Sequence, residues 1–113
     1  MKTIDFKVRF LMCLVLWYFN EKKSCVKSSC NNGWYKCEIS NGDSIVTCLI
    51  RREDQCRCDL YQVVFSINTT RYELVFRTDE LCSDDAELIS KIYDAISSEA
   101  ITGIDSLIGV LLK

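Results

Sequence analysis

The chain has 113 residues, enough for one domain with a modest core. It contains neither histidine nor proline, which excludes Ser-His and Cys-His catalytic pairs, imidazole zinc sites and cis-prolyl turns. Net charge is −2, but five basic and only two acidic residues lie in positions 1–24, so residues 25–113 carry nine basic and fourteen acidic side chains. That balance opposes nucleic acid and anionic membrane as partners.

Lys2, Lys7 and Arg9 precede an apolar run from Leu11 to Phe19, followed by polar Asn20 to Ser24. The run is shorter than the roughly 20 residues needed to cross a bilayer. It reads as a secretory signal peptide over residues 1–24, cut between Phe19 and Cys25, leaving a secreted, extracellular domain over 25–113. Residues 25–33 are rich in turn formers and read as an irregular segment tied down by Cys25 and Cys30.

Residues 34–51 read as a hairpin around Asn41-Gly42. Tyr35, Cys37, Ile39, Val46, Cys48 and Ile50 share one face, and a loop over 41–44 sets Cys37 opposite Cys48. Residues 59–78 read as a second hairpin. A loop over 68–71 sets Phe65 opposite Leu74, and Tyr61, Val63, Phe65, Ile67, Tyr72, Leu74 and Phe76 share a face that needs a cover. That cover is read in the distal segment, where Ile89, Ile92, Ile96, Ala100, Ile104, Leu107 and Leu111 recur at helical spacing. Ser83 is the expected N-cap, and Gly103 makes two helices, 84–99 and 104–112, as consistent as one. The fold class expected is therefore α+β: a small disulfide-rich domain of two antiparallel β-hairpins, four strands in all, covered by C-terminal helix.

Seven of the eight cysteines lie between Cys25 and Cys82. In a secreted chain this density implies disulfides among Cys25, Cys30, Cys37, Cys48, Cys56, Cys58 and Cys82. The registers favour Cys37 with Cys48 and Cys82 with Cys56 or Cys58, leaving Cys25 or Cys30 for the other member. The odd count implies a free thiol or a disulfide-linked dimer. A metal is not expected, because Cys56-x-Cys58 lacks the paired spacing of structural zinc sites. The run Cys56-Arg57-Cys58, strands, then Cys82 before a helix superficially resembles a CXC chemokine. The upstream hairpin and the two intervening strands depart from that family, and none is assigned.

Four further features bear on function. Asn68-Thr69-Thr70 is an N-glycosylation sequon at the tip of the second hairpin. Arg51-Arg52 reads as a charged link between hairpins or a loop offered to a trypsin-like protease. Asp79, Glu80, Asp84, Asp85 and Glu87 suit the positive end of a helix without calcium-loop spacing. Trp34, Ile45, Leu49, Val64 and Val75 project from the outer faces, free for a partner or covered by other parts of the chain. The function expected is a secreted, disulfide-stabilised module that binds an extracellular protein, with Trp34, Arg51 and Arg52 as candidate contacts. No catalysis and no cofactor are expected. The alternative is a protease inhibitor acting through an Arg51-Arg52 loop.

Overall fold

A computed structural model describes residues 4–113. Its elements are helix α1 (Phe6–Glu21), strands β1 (Val26–Asn31), β2 (Trp34–Asn41), β3 (Ser44–Asp54), β4 (Asp59–Ile67) and β5 (Thr70–Arg77), and helix α2 (Ser83–Leu111). The strands form one antiparallel meander in the order β1-β2-β3-β4-β5. Both helices lie on one face of it.

The strand count corrects the four-strand, two-hairpin expectation. Residues 26–31 pair with β2 through a turn at Asn32 and Gly33, whose φ angles of 53° and 81° are left-handed. Asn-Gly is the dipeptide that such a two-residue turn favours, so a hairpin forms where an irregular segment was expected. Nor are the hairpins separate units. Strand β3 runs on to Asp54 and pairs with β4 from Thr47↔Ser66 to Asp54↔Asp59, fusing everything into one sheet.

Within the hairpins, Cys37 lies opposite Cys48, as the sequence indicates. The second hairpin is tighter than expected: Asn68 and Thr69 form the turn, so Phe65 faces Tyr72 and Val63 faces Leu74. A shift of two residues preserves the inward face. Tyr35, Ile50, Val63 and Leu74 form one row across the sheet, and Cys37, Cys48, Phe65 and Tyr72 the next.

The helix layer covers those rows. On α2, Leu88, Ile89, Ile92, Ile96 and Ala100 are buried, and the helix runs unbroken through Gly103. It starts at Ser83, with Cys82 at the cap position and no capping side chain. The segment expected as a leader forms α1. Val8, Met12, Val15 and Phe19, spaced four, three and four apart, are buried on it within the same core cluster. Arg9 pairs with the buried carboxylate of Asp85 on α2, which also accepts the Ile4 backbone N–H at 3.4 Å. Among the described residues no helix is long and apolar enough to cross a membrane.

All eight cysteines are free, which corrects the disulfide-stabilised expectation. Strand β5 ends at Arg77 and the chain turns off the sheet in a 3-10 turn over Thr78–Glu80, so the register never carries Cys82 back beside Cys56 or Cys58. Cys25 enters β1 and Cys30 stands on that edge strand opposite Tyr35, neither bonded to the Cys56–Cys58 turn. Cys37 and Cys48 face each other as buried thiols. Burial pushes the Cys37 thiol up from 9.0 to about 12, with the neighbouring Glu38 carboxylate adding to it. Cys48 is pushed up as well, first by burial and then by Cys37.

Candidate functional site: the open face of the sheet

Alternation along the strands sends every second side chain away from the helices, onto a face that no described element covers. Trp34, Lys36 and Glu38 stand there on β2, Thr47, Leu49 and Arg51 on β3, Gln62 and Val64 on β4, and Arg71, Glu73 and Val75 on β5. The registers set Lys36 beside Leu49, Leu49 beside Val64 and Val64 beside Glu73.

A groove of about 510 Å³ runs across this face. Trp34, Leu49 and Val64 form its apolar part, Lys36 and Arg71 carry cations into it, and Asn31 at the end of β1 and Asn32 of the first turn line it too. Val64 is only 3% exposed although it points away from the helix layer. Its burial comes from neighbouring side chains of the open face. Sites for small or extended ligands have this size and this mixture of apolar wall and few polar groups.

A polar ladder borders the groove. The Arg51 guanidinium lies 4.9 Å from the centre of the Trp34 ring, a cation-π contact. Arg51 Nη2 donates to Gln62 Oε1 at 3.0 Å, and Gln62 Nε2 donates to Glu73 Oε1 at 2.6 Å. Arg71 approaches Glu73 at 3.7 Å, and Lys36 approaches Glu38 at 3.1 Å. Each groove cation thus has one partially exposed carboxylate beside it and retains capacity for another. Side chains fixed by neighbours on a rigid sheet lose less freedom on binding than free ones.

The structure unites two of the three candidate contacts and separates the third. Trp34 and Arg51 meet on the open face. Arg52 points to the helix side, where its guanidinium lies 4.8 Å from the Tyr93 ring centre. Tyr93 also meets Tyr35 and Tyr61 edge-on, at 5.5 Å and 5.8 Å. Burial raises the Tyr93 phenol, with Tyr35 adding to it. This cluster clamps α2 onto the sheet. Arg51 and Arg52 both lie within β3, paired with Gln62 and Tyr61, so no projecting loop presents them to a protease.

Asn68 occupies the exposed β4–β5 turn at φ 52°, a conformation asparagine tolerates. The acidic residues do not converge: Asp85 is turned inward to Arg9 and Asp79 pairs with Arg77. Among the described residues no three Cys, Asp or Glu side chains are grouped as metal ligands would be. Lys36, Thr47 and Arg71 were missed as groove residues by sequence reasoning. Their signal is the polar half of the strand alternation, legible once β3 and β4 are known to pair. No family model, curated protein or solved structure matches the chain.

Proposed function

We propose that the protein is a non-catalytic binding module that takes an extended segment of a partner protein on the open face of its sheet. The observation that carries this reading is the one-sided architecture: two helices cover one face, while the other holds a preformed groove with an apolar wall and two cations. The complementary segment carries an apolar side chain for Trp34, Leu49 and Val64 and a carboxylate for Lys36 or Arg71. Charge-assisted contacts at the rim set orientation, and the aromatic anchor supplies most of the affinity. Export directed by residues 1–24 would place that partner outside the cell, and cleavage there would remove α1. Recovery from the medium of a chain beginning between residues 20 and 25 is the result expected of that route.

The test is selection of displayed random peptides against the intact chain. Acidic-apolar sequences are expected to enrich. Trp34→Ala and Lys36→Glu should each weaken the selected peptides by about tenfold or more, as loss of a central anchor does. Enrichment unaffected by both substitutions, with the fold intact, would overturn the reading.

A further inference from the structure

Helix α2 runs past the fold it covers. Ile89, Ile92, Ile96 and Ala100 are buried, whereas every residue from Ile101 onward is exposed. The sequence of that stretch is still that of a helix built to pack. Ile104, Leu107 and Leu111 continue the stripe of Ile96 and Ala100, flanked by Ile101 and Ile108. Thr102, Ser106, Gly109 and Lys113 follow one another on the opposite side. A three-turn helix in water is marginal without tertiary packing, so this segment calls for a partner.

We propose that the partner is a second copy of this chain: two distal α2 segments pack antiparallel about a two-fold axis that passes near Leu107 and Ile108. Three observations select that occupant. The first is geometric. The apolar stripe lies on a stretch of helix exposed at every residue, so a two-fold through its middle lets the stripes of two copies meet face to face. The contact is then self-complementary and closes. The second is area. Five side chains per copy, each exposed by between 44% and 84%, offer over the two copies an apolar surface on the order of the 1,000 Å² that a specific interface needs. The third is charge. Asp105 and Lys113 are the charged side chains of residues 101–113. A helix that lies on a membrane surface typically carries a Lys- and Arg-rich polar face, which this one lacks. Antiparallel packing also opposes the two helix dipoles favourably. This surface is separate from the groove on the open face, and neither proposal rests on the other.

Sedimentation equilibrium of the intact chain under reducing conditions tests it. The apparent mass should rise from 13.0 kDa toward twice that as concentration climbs through the micromolar range. Leu107→Glu should sediment as a monomer that keeps its sheet and the buried part of α2 and loses at most the helix signal of residues 101–111, because Leu107 is 67% exposed in the single copy. Ile104→Glu and Leu111→Lys should each be monomeric, and their mixture should recover the dimer, because antiparallel pairing sets position 104 of one copy against position 111 of the other. A wild-type chain that stays monomeric throughout, a Leu107→Glu chain that still dimerises, or a mixture that fails to recover the dimer would overturn the proposal. So would wild-type monomer that binds phosphatidylcholine vesicles and loses that binding on Leu107→Glu.

Discussion

Arg51 and Arg52 are neighbours in sequence with opposite surroundings, because successive residues of a strand point to opposite faces. Arg52 lies over Tyr93 within the cluster that joins α2 to the sheet, while Arg51 lies over Trp34 in the open face. Arg52→Ala should therefore cost about 1 kcal/mol of unfolding free energy through lost cation-π contact and stem packing. Arg51→Ala should stay within about 0.5 kcal/mol, as exposed substitutions do, yet weaken peptide binding at the groove. Denaturant titration of both variants reads the difference. The buried thiols give a second prediction at this scale. Cys37 is held up at about 12 and Cys48 is raised too, so neither presents a thiolate near neutral pH. Under native conditions iodoacetamide should label exposed Cys13, Cys30 and Cys56 long before Cys37 or Cys48, as peptide mass mapping would show. An unfolded thiol loses its proton near pH 9, before folded Cys37 does. The stability these two positions contribute is thus whole below pH 9 and declines between pH 9 and 12. Replacing both by alanine should flatten that part of the pH profile.

Much at the level of elements is legible in the sequence. The alternations in β2 through β5 define the inward face correctly, and a loop over 41–44 gives the Cys37–Cys48 register, which the structure makes with Asn41 paired to Ser44. Two elements escape. Strand β1 carries Ser28, Ser29 and Asn31, poor strand formers at a sheet edge, and its pairing comes from the Asn32-Gly33 turn rather than from its own propensity. Helix α1 is apolar nearly all round, with Phe6, Phe10, Leu14 and Trp17 exposed opposite its buried stripe. Without a polar face, periodicity does not separate a packed helix from an export signal. The groove escapes as well, since it needs β3 beside β4, a pairing hidden by the charged run from Arg51 to Asp54. The β1–β2 turn makes the test at this scale. Gly33→Ala meets no neighbouring atom within 4 Å, so its cost comes from φ 81° alone. Denaturant unfolding should show a loss of about 1 kcal/mol or more, with β1 amides exchanging faster.

For the whole molecule, the layers assign separate tasks. The helix layer and the inward rows of the sheet supply stability, and the open face is the surface proposed for recognition. Helix α1 contributes four buried side chains to that core, Met12 being fully buried. Met12→Ala should cost about 2–5 kcal/mol, a large share of the roughly 5–15 kcal/mol available to a domain. A chain that begins at Lys22, as cleavage at the expected site would leave it, should melt lower than the intact one while keeping its sheet. Recognition should be insensitive to such losses for as long as the sheet stays folded. The most direct test of the account is an amide chemical-shift map of the intact chain titrated with a selected acidic-apolar peptide. Shifts confined to Asn31, Trp34, Lys36, Thr47, Leu49, Val64 and their open-face neighbours are the result predicted. Shifts confined to α1 and α2, with the open face unmoved, would contradict it.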